Sequence, residues 1–393
     1  MEKRLFRQVC ALLALALCLC CLSCSTGENG NNDGKSDEET KEKEPIHNIA
    51  FTELGVPTEE KYPTGERARL AWDMALHGGK IYIGSGDYGK NRGPAQISCY
   101  DPTTGAWEAF ATVPDEEVDR FCVLSGKLCA PGIDPREGDW SLGNYYVLED
   151  GAWTVKRTIP GGIHNFDMVE YHGSLFAGLG VSAGGYPVAV SSDGGQTFSS
   201  VPFFKKDGSP VHTSGYTQVR TYDFFLLGDT LYATLTLDSV YELYKYSEAR
   251  ASFYYVGDMK EQMHFFYYKL NPLGEKVTFD DSLYLATGNL YETPDFHNIS
   301  PIVLEEGAMT TDLFVDGDTL YVLLSSNIEE GKYKTAVYAL ESGKATFREV
   351  FDFVYDVPSV SMVVSGEDFY IGMGYKSIES LKNGMLLHVS VDK

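Results

Sequence analysis

The feature that most limits the fold of this chain is a hairpin signature that recurs along most of its length. Each occurrence has a Gly, Asp or Glu turn followed by two apolar residues, with a short apolar run before it. The occurrences are Gly79-Lys80-Ile81-Tyr82, Gly126-Lys127-Leu128-Cys129, Gly173-Ser174-Leu175-Phe176, Asp229-Thr230-Leu231-Tyr232, Asp281-Ser282-Leu283-Tyr284, Asp318-Thr319-Leu320-Tyr321 and Glu367-Asp368-Phe369-Tyr370. Their first apolar residues are 47, 47, 56, 52, 37 and 49 positions apart. Such self-similarity indicates modules that pack against copies of themselves.

The length and residue types of the repeat predict an all-β fold. A period of about 40–50 residues with four short strands per unit is typical of a β-propeller blade. Helical repeats of this length would place apolar residues three and four positions apart. Here the apolar runs are short, rich in β-branched and aromatic residues, and bounded by Gly, Asp and Asn, as strands are.

Seven signatures predict a single seven-bladed β-propeller, closed by an N-terminal strand. Residues 49–57 are similar to the outer strand of the first repeat, 106–114, and the last repeat ends one strand short. Pairing the two chain ends would remove the last open sheet edge. The 37-residue interval is short for four strands, and residues 259–276 are long for a connection, so six or eight blades stay open.

Two turn motifs resemble known propeller families. In the first repeat a glycine-rich strand precedes Tyr100-Asp101-Pro102 and then Trp107, which resembles a kelch repeat, although the usual Gly-Gly pair is split by Ser85. The third repeat contains Ser191-Ser192-Asp193-Gly194-Gly195-Gln196-Thr197-Phe198, which resembles the Asp-box of bacterial neuraminidases. In that motif Asp193 caps backbone N–H groups and Gly195 takes a left-handed conformation. The resemblance implies a structural turn away from the functional face.

The N-terminal segment predicts secretion. Basic residues precede an apolar run over 9–22, which is too short for a membrane span of about 20 residues and fits a signal-peptide core. The run ends at Ser23-Cys24, which resembles the bacterial lipobox with Cys21 at the usual aliphatic position. The resemblance implies lipidation, palmitate included, at Cys24. The weaker alternatives are Cys20 or Cys21 as the modified residue, or ordinary cleavage that leaves a free thiol.

These features divide the chain into three parts. Residues 1–23 are predicted to be a lipoprotein signal peptide, 24–45 a disordered acidic tether, and 46–393 the propeller. The tether lacks the apolar residues that would offset its ordering entropy. The expected location is the cell envelope, extracytoplasmic, with membrane contact through the lipid anchor only.

Charge and cysteine content exclude several classes of protein. The net charge of −24 argues against nucleic-acid binding, which requires clustered Lys and Arg. Only Cys99, Cys122 and Cys129 lie in the folded part, which does not suit a disulfide framework. A two-residue turn would pair Cys122 with Cys129, and we expect both to stay reduced. Neither a metal site nor a cofactor is predicted, because the histidines lack paired ligand spacing and no phosphate-binding glycine loop opens a helix.

The predicted binding face gathers two sets of loops: those that enter the innermost strands and those that join second and third strands. Aromatic rings beside carboxylates and amides suit a sugar or a peptide. The candidate residues are Arg69, Asp87, Tyr88, Arg92, Arg120, Asp134, Arg136, Trp140, His164, Tyr186, Arg220, Tyr291, Glu292 and His297.

The sequence therefore predicts a binding or scaffolding protein for a glycan, a peptide or an envelope protein. The alternative is a sialidase-like hydrolase or lyase on the same face, with Arg69, Arg120 and Arg220 converging on a carboxylate. Against this alternative, the Arg-Ile-Pro signature of that family is absent. The arginines would otherwise pair with nearby acids, which are abundant in this chain.

Lipidation is testable at one residue. A Cys24→Ala variant expressed in a bacterial host is expected to lose the partitioning into the detergent phase that the wild-type protein shows, because it has no acceptor for diacylglycerol. Phase separation followed by immunoblotting measures this. Wild-type protein in the aqueous phase would contradict the prediction, and a Cys99→Ala variant is the matched control.

Overall fold

All seven predicted hairpins form in the computed structural model, where each provides the first two strands of a repeat. The structure describes residues 44–391 except 137, 139, 182–184, 239, 259–274 and 376. The predicted signal peptide, Cys24 and all but the last two residues of the tether lie outside the described residues. The chain from Glu44 onward forms one compact unit.

The strands are numbered in chain order. A leading strand is β1 (Thr52–Gly55). The first repeat contains β2 (Met74–His77), β3 (Lys80–Gly84), β4 (Ala95–Asp101), β5 (Ala106–Trp107) and β6 (Ala111–Val113). The second contains β7 (Asp115–Glu117), β8 (Cys122–Leu124), β9 (Lys127–Pro131), β10 (Ile133–Pro135), β11 (Leu142–Glu149) and β12 (Ala152–Pro160). The third contains β13 (His164–Tyr171), β14 (Ser174–Val181), β15 (Val188–Ser191) and β16 (Ser199–Ser200).

The second half of the chain follows the same plan. The fourth repeat contains β17 (Phe203–Phe204), β18 (Val219–Arg220), β19 (Phe224–Leu226), β20 (Leu231–Leu237), β21 (Val240–Ser247) and β22 (Ser252–Asp258). The fifth contains β23 (Glu275–Phe279), β24 (Ser282–Ala286), β25 (Leu290–Thr293) and β26 (Ser300–Ile302). The sixth contains β27 (Met309–Asp316), β28 (Thr319–Glu329), β29 (Lys332–Glu341) and β30 (Arg348–Tyr355). The seventh contains β31 (Ser359–Ser365), β32 (Asp368–Met373) and β33 (Leu386–Ser390).

These strands form an all-β propeller. Five sheets of four or five strands are separate blades, and twelve strands form one continuous sheet through the third and fourth repeats. That sheet is continuous because β18 pairs with both β14 and β20, and β10 pairs with both β7 and β13. The described residues form no α-helix, only short 3-10 turns.

The predicted closure of the ring by an N-terminal strand is confirmed. Strand β1 pairs antiparallel with β33, with Thr52 opposite His388, and completes the last sheet. Before β1, the Ile46 N–H donates to the carbonyl of Val350 at 3.0 Å, and the Asp352 N–H donates to the carbonyl of Ile46 at 3.1 Å. The chain start therefore fastens to the outer strand of the sixth repeat before it closes the seventh.

Apolar side chains fill the space between neighbouring sheets. Tyr82 and Ile97 of the first repeat pack with Leu128 and Tyr146 of the second. Phe351 and Phe353 of the sixth pack with Phe369 of the seventh. Burial of large aromatic side chains between sheets supplies most of the hydrophobic stabilisation of such a ring.

The turn around Asp193 has the hydrogen bonds that the sequence predicts. Its Oδ1 accepts from the N–H groups of Gln196 and Thr197 at 3.0 and 2.9 Å. Gly195 has a φ of 84°, and a Cβ there would clash with the Tyr145 hydroxyl. The hydroxyl and the N–H of Thr197 hold the pKa of Asp193 at about 2. The turn is a local structural device at the end of β15.

The cysteine register is also as predicted. Cys122 lies opposite Cys129 across the β8–β9 hairpin, and both are free thiols, as is Cys99. Burial raises the pKa of Cys129 to about 11, so its thiol is protonated near neutral pH. Both residues contribute to apolar packing.

Ring closure predicts an asymmetry between two truncations. Deleting residues 46–57 should sharply lower the melting temperature or cause aggregation, because it exposes the unpaired edge of β33. Deleting 25–44 should do neither, since it removes no strand. Thermal unfolding and light scattering measure both, and equal stability of the two truncations would contradict the closure by β1.

Candidate functional site

Polar residues occupy one repeated position at the centre of the ring. Counting back nine residues from the last residue of each hairpin signature always reaches the innermost strand or its first approach. The residues found there are Asp73, Arg120, Asp167, Asp223, Glu275, Asp312 and Ser361. We call this set the axial residues. Of these, the sequence analysis selected Arg120 alone, although aligning the signatures would have shown all seven.

Ion pairs join the axial residues of neighbouring repeats. The Arg120 guanidinium lies 2.9 Å from Asp223 Oδ1 and 3.3 Å from Asp167 Oδ2. The ammonium of Lys276 lies 3.0 Å from Asp223 Oδ1 and 2.5 Å from Asp167 Oδ2. All but Lys276 are almost fully buried. Removing one partner from such a network leaves an uncompensated buried charge, which is strongly destabilising.

Axial carboxylates also bind the backbone of the next repeat. Asp73 accepts a hydrogen bond from the Phe121 N–H at 2.6 Å, and Asp167 accepts one from the Phe224 N–H at 2.8 Å. Asp312 accepts one from the N–H of Met362 in the same way. Because each bond joins adjacent innermost strands, these residues hold the ring together. Arg120 is accordingly a structural residue and does not reach the predicted binding face.

A second repeated position lies three residues before the axial one, at the mouth of the ring. It holds Glu117, His164 and Arg220 in the second, third and fourth repeats. Short strand pairings connect them: Ile133 lies opposite both Glu117 and His164, and Gly180 lies opposite both His164 and Arg220. Three ionisable side chains are thus held at equivalent places by backbone hydrogen bonds.

Aromatic rings lie between these three side chains. The His164 ring stacks on Phe166, with centroids 5.7 Å apart and planes 7° apart. The Arg220 guanidinium carbon lies 5.4 Å from the centre of the Phe166 ring, and its Nη1 donates to the Tyr222 hydroxyl at 2.8 Å. Tyr88 covers the other side, 6.3 Å from His164. We call Tyr88, Glu117, His164, Phe166, Arg220 and Tyr222 the entry cluster.

The electrostatics of the entry cluster are set by burial. Glu117 is fully buried, accepts the Tyr88 N–H at 2.8 Å and lies 3.3 Å from the Arg67 guanidinium. Burial, followed by the charge of Asp119, raises the pKa of Glu117 to about 8 in spite of Arg67. Burial and the carboxylate of Glu117 raise the pKa of Tyr88 to about 12. Glu117 is therefore a carboxyl group that exchanges its proton near neutral pH.

Of the predicted face residues, three gather in the entry cluster and one more touches it. Tyr88, His164 and Arg220 are members. Asp134 lies beside them, with its Oδ1 2.7 Å from His164 Nδ1. Its φ of 60° is the left-handed conformation that Asp tolerates better than most residues.

Four predicted residues brace the surrounding loops instead. Arg69 is buried and donates to the carbonyls of Tyr62, Leu381 and Asn383. The other three are Asp87, buried 3.6 Å from Arg67; Arg92, paired with Glu66 at 2.7 Å; and Arg136, which donates to the carbonyls of Asn91 and Gly93. Sequence could not distinguish these roles, because an arginine that binds carbonyls looks the same as one that binds a ligand.

Two predicted aromatics lie together on the flank. Trp140 and Tyr186 are 65% and 57% exposed, and both line a groove of about 550 Å³ between the second and third repeats. The walls include Ile163, Leu179 and Val188. Exposed rings beside an apolar groove suit stacking on a flat ligand face.

The predicted loop of the fifth repeat is wrong in its position. Tyr291 and Glu292 lie on β25, where Tyr291 is buried in an apolar cluster. His297 lies in the turn after β25, where its N–H donates to Asp295 Oδ1 at 2.8 Å. The connection between β24 and β25 spans only 287–289, because the apolar run from Leu290 extends the strand. These three residues are not with the entry cluster.

The three arginines of the sialidase-like alternative bind three different sets of partners. Arg69 binds backbone carbonyls, Arg120 binds axial carboxylates and Arg220 binds Tyr222. No shared anion site joins them in the described part of the chain. The alternative reaction therefore lacks the geometry that it requires.

One group of possible metal ligands occurs among the described residues. His47, Glu349 and Asp352 place their ligand atoms within 4.8 Å of one another. The ammonium of Lys334 lies 3.6 Å from Asp352 Oδ2 and 3.9 Å from Glu349 Oε1, so a cationic side chain already neutralises the group. The group fastens the chain start rather than forming a metal centre.

No known protein family matches the chain, and no curated protein is significantly similar to it. Two solved structures are similar to it. The computationally designed protein Ika8 covers 88% of this chain with all of its own, at 7% identity and a TM-score of 0.44. Sqt1 of Saccharomyces cerevisiae also covers 88% of this chain with all of its own, at 9% identity and a TM-score of 0.43. Within the described residues, no helix is long and apolar enough to cross a membrane.

The raised pKa of Glu117 predicts a pH dependence of stability. Between the ordinary value of 4.5 and about 8, the folded chain holds a proton that the unfolded chain has lost. Stability from this group therefore falls as pH rises through that range and is level above it. In Glu117→Gln this slope should disappear, so the variant should gain melting temperature relative to wild type as pH rises from 5 to 8.

Differential scanning calorimetry at several pH values measures the difference. The control is Glu60→Gln, which removes an exposed carboxylate far from burial. Parallel curves for wild type and Glu117→Gln would contradict the proton assignment.

Proposed function

We propose that this protein is a glycan-binding propeller of the cell envelope, with the entry cluster as its binding site. The observation that carries the proposal is the equivalent placement of Glu117, His164 and Arg220 around an aromatic floor. Tyr88, His164 and Arg220 are partly exposed, while Phe166 and Tyr222 are buried beneath them. Apolar surface with a few convergent polar groups is the usual composition of a ligand site.

Sugars fit this composition better than other ligands do. A pyranose offers an apolar face for the rings of Tyr88 and His164, and hydroxyl edges for Arg220. The exposed Trp140 and Tyr186 lie on the second and third repeats, the same repeats that supply Glu117 and His164. They would extend the site for a longer chain. A peptide or an envelope protein is the other occupant that the face would accept.

The remaining architecture supports a tethered binding protein. We propose seven blades, because two four-stranded meanders, β13–β16 and β19–β22, lie within the twelve-stranded sheet and add to the five separate ones. The lipobox-like Ser23-Cys24 supports a lipid anchor and an extracytoplasmic location. The kelch-like and Asp-box-like turns support relation to those propeller families. Catalysis is not proposed.

Glycan binding is testable with two variants and a control. Array and calorimetric binding to neutral and acidic oligosaccharides should identify a ligand, and Tyr88→Ala should weaken it at least tenfold, about 1.4 kcal/mol. Trp140→Ala should weaken long oligosaccharides more than short ones. Phe110→Ala removes an aromatic residue of similar exposure elsewhere and should leave binding unchanged.

Two results would contradict the proposal. One is a glycan that binds equally well to wild type and Tyr88→Ala. The other is the absence of glycan binding together with capture of a peptide ligand that Tyr88→Ala abolishes, which would assign the site to peptides.

A further inference from the structure

The opposite face of the ring has a pocket on its axis that the entry cluster does not use. This face carries the hairpin turns and the Asp193 turn. The pocket has a volume of about 390 Å³, and its walls are apolar residues of the innermost strands, among them Ala75, Val277 and Phe314. We call it the axial pocket.

Three carboxylates lie in the axial pocket. Asp73, Glu275 and Asp312 all line it. Asp73 and Asp312 use their oxygens on backbone N–H groups. The carboxylate of Glu275 makes no hydrogen bond or ion pair with any described residue, although Arg120 and Lys276 are near enough to favour its charge.

The axial charges do not balance. Five carboxylates, those of Asp73, Asp167, Asp223, Glu275 and Asp312, face two cations, Arg120 and Lys276. Both cations already contact Asp167 and Asp223. Burial, followed by the charge of Glu275, raises the pKa of Asp312 and of Asp73 well above the usual range. Buried charges are normally paired, so the pocket lacks a cation.

A ring of exposed aliphatic side chains surrounds the pocket mouth. Val123 and Val315 line the pocket and are 59% and 36% exposed. They occupy the same place in their repeats, three residues after the axial position, as do Leu76 and the exposed Leu226. We call these four residues the collar. A contiguous exposed apolar patch of this kind marks a contact surface for another protein.

We propose that the axial pocket receives a lysine side chain of a partner protein. The methylene stem would pack against the apolar walls, and the ammonium would reach the three carboxylates. An ammonium has three donors in a compact group, which suits three carboxylates, whereas a guanidinium pairs best with one or two in a plane. The collar selects a protein over a free amine, because only a protein has surface around the lysine to cover it.

This site is independent of the proposed glycan site, because it lies on the other face and uses other residues. The probe is the peptide acetyl-Gly-Ala-Lys-Ala-Gly-amide, with calorimetric or NMR titration against the full-length chain. Its norleucine analogue keeps the stem and removes the charge. We expect the lysine peptide to bind at least tenfold more tightly than the norleucine peptide.

Two variants and a control separate pocket binding from general attraction to an acidic protein. Glu275→Gln should weaken the lysine peptide at least fivefold, and it should fold at least as stably as wild type because it removes an unpaired, repelled charge. Val123→Trp should block the mouth and abolish binding while leaving all carboxylates in place. Glu330→Gln removes the same charge from an exposed turn and should change nothing.

Three outcomes would overturn the proposal. Equal binding of the lysine and norleucine peptides would show that the carboxylates do not recognise the ligand. Unchanged binding in both Glu275→Gln and Val123→Trp would place the peptide elsewhere. Binding of n-pentylamine as tight as that of the peptide would assign the pocket to a free amine instead of a protein.

Discussion

The ring depends on polar groups at its centre, where each innermost strand meets the next without room for a large apolar core. Backbone N–H groups at that place cannot reach water and need acceptors inside the protein. Asp73, Asp167 and Asp312 supply those acceptors from the preceding repeat. The carboxylates then require cations, and Arg120 and Lys276 neutralise part of their charge. The apolar packing between sheets supplies the bulk of the stability, but these contacts fix which strands are neighbours.

Much of this fold could be predicted from the sequence, since the hairpin signature depends only on local residue types. Turn glycines and the apolar pair specify each β-hairpin without reference to the rest of the chain. The closing strand was also predictable, because residues 49–57 repeat the pattern of an outer strand. The length of the fifth-repeat loop was not, since Leu290 and Tyr291 extend a strand where the residues around them are typical of a loop.

The candidate site was harder to predict, because the same residue type performs different tasks in it. Arg69, Arg120 and Arg220 all precede or enter innermost strands, yet one binds carbonyls, one binds carboxylates and one lies over an aromatic ring. Which task applies depends on groups far away in sequence, such as Asn383 for Arg69. Glu117 escaped notice for the opposite reason: it lies in a run of acids that reads as solvated, and only its burial gives it a pKa near neutral.

The way in which the chain start is fastened has a mechanical consequence. Residues 46–49 hydrogen-bond to the outer strand of the sixth repeat before β1 reaches the seventh. Asp352 strengthens this attachment by accepting the Asn48 N–H at 2.7 Å. A force applied from the N-terminal side therefore loads the contact with β30 first, and β1 stays paired until that contact yields. The closing strand is in this sense protected by a strain relief, which suits a protein that is held by its first residues.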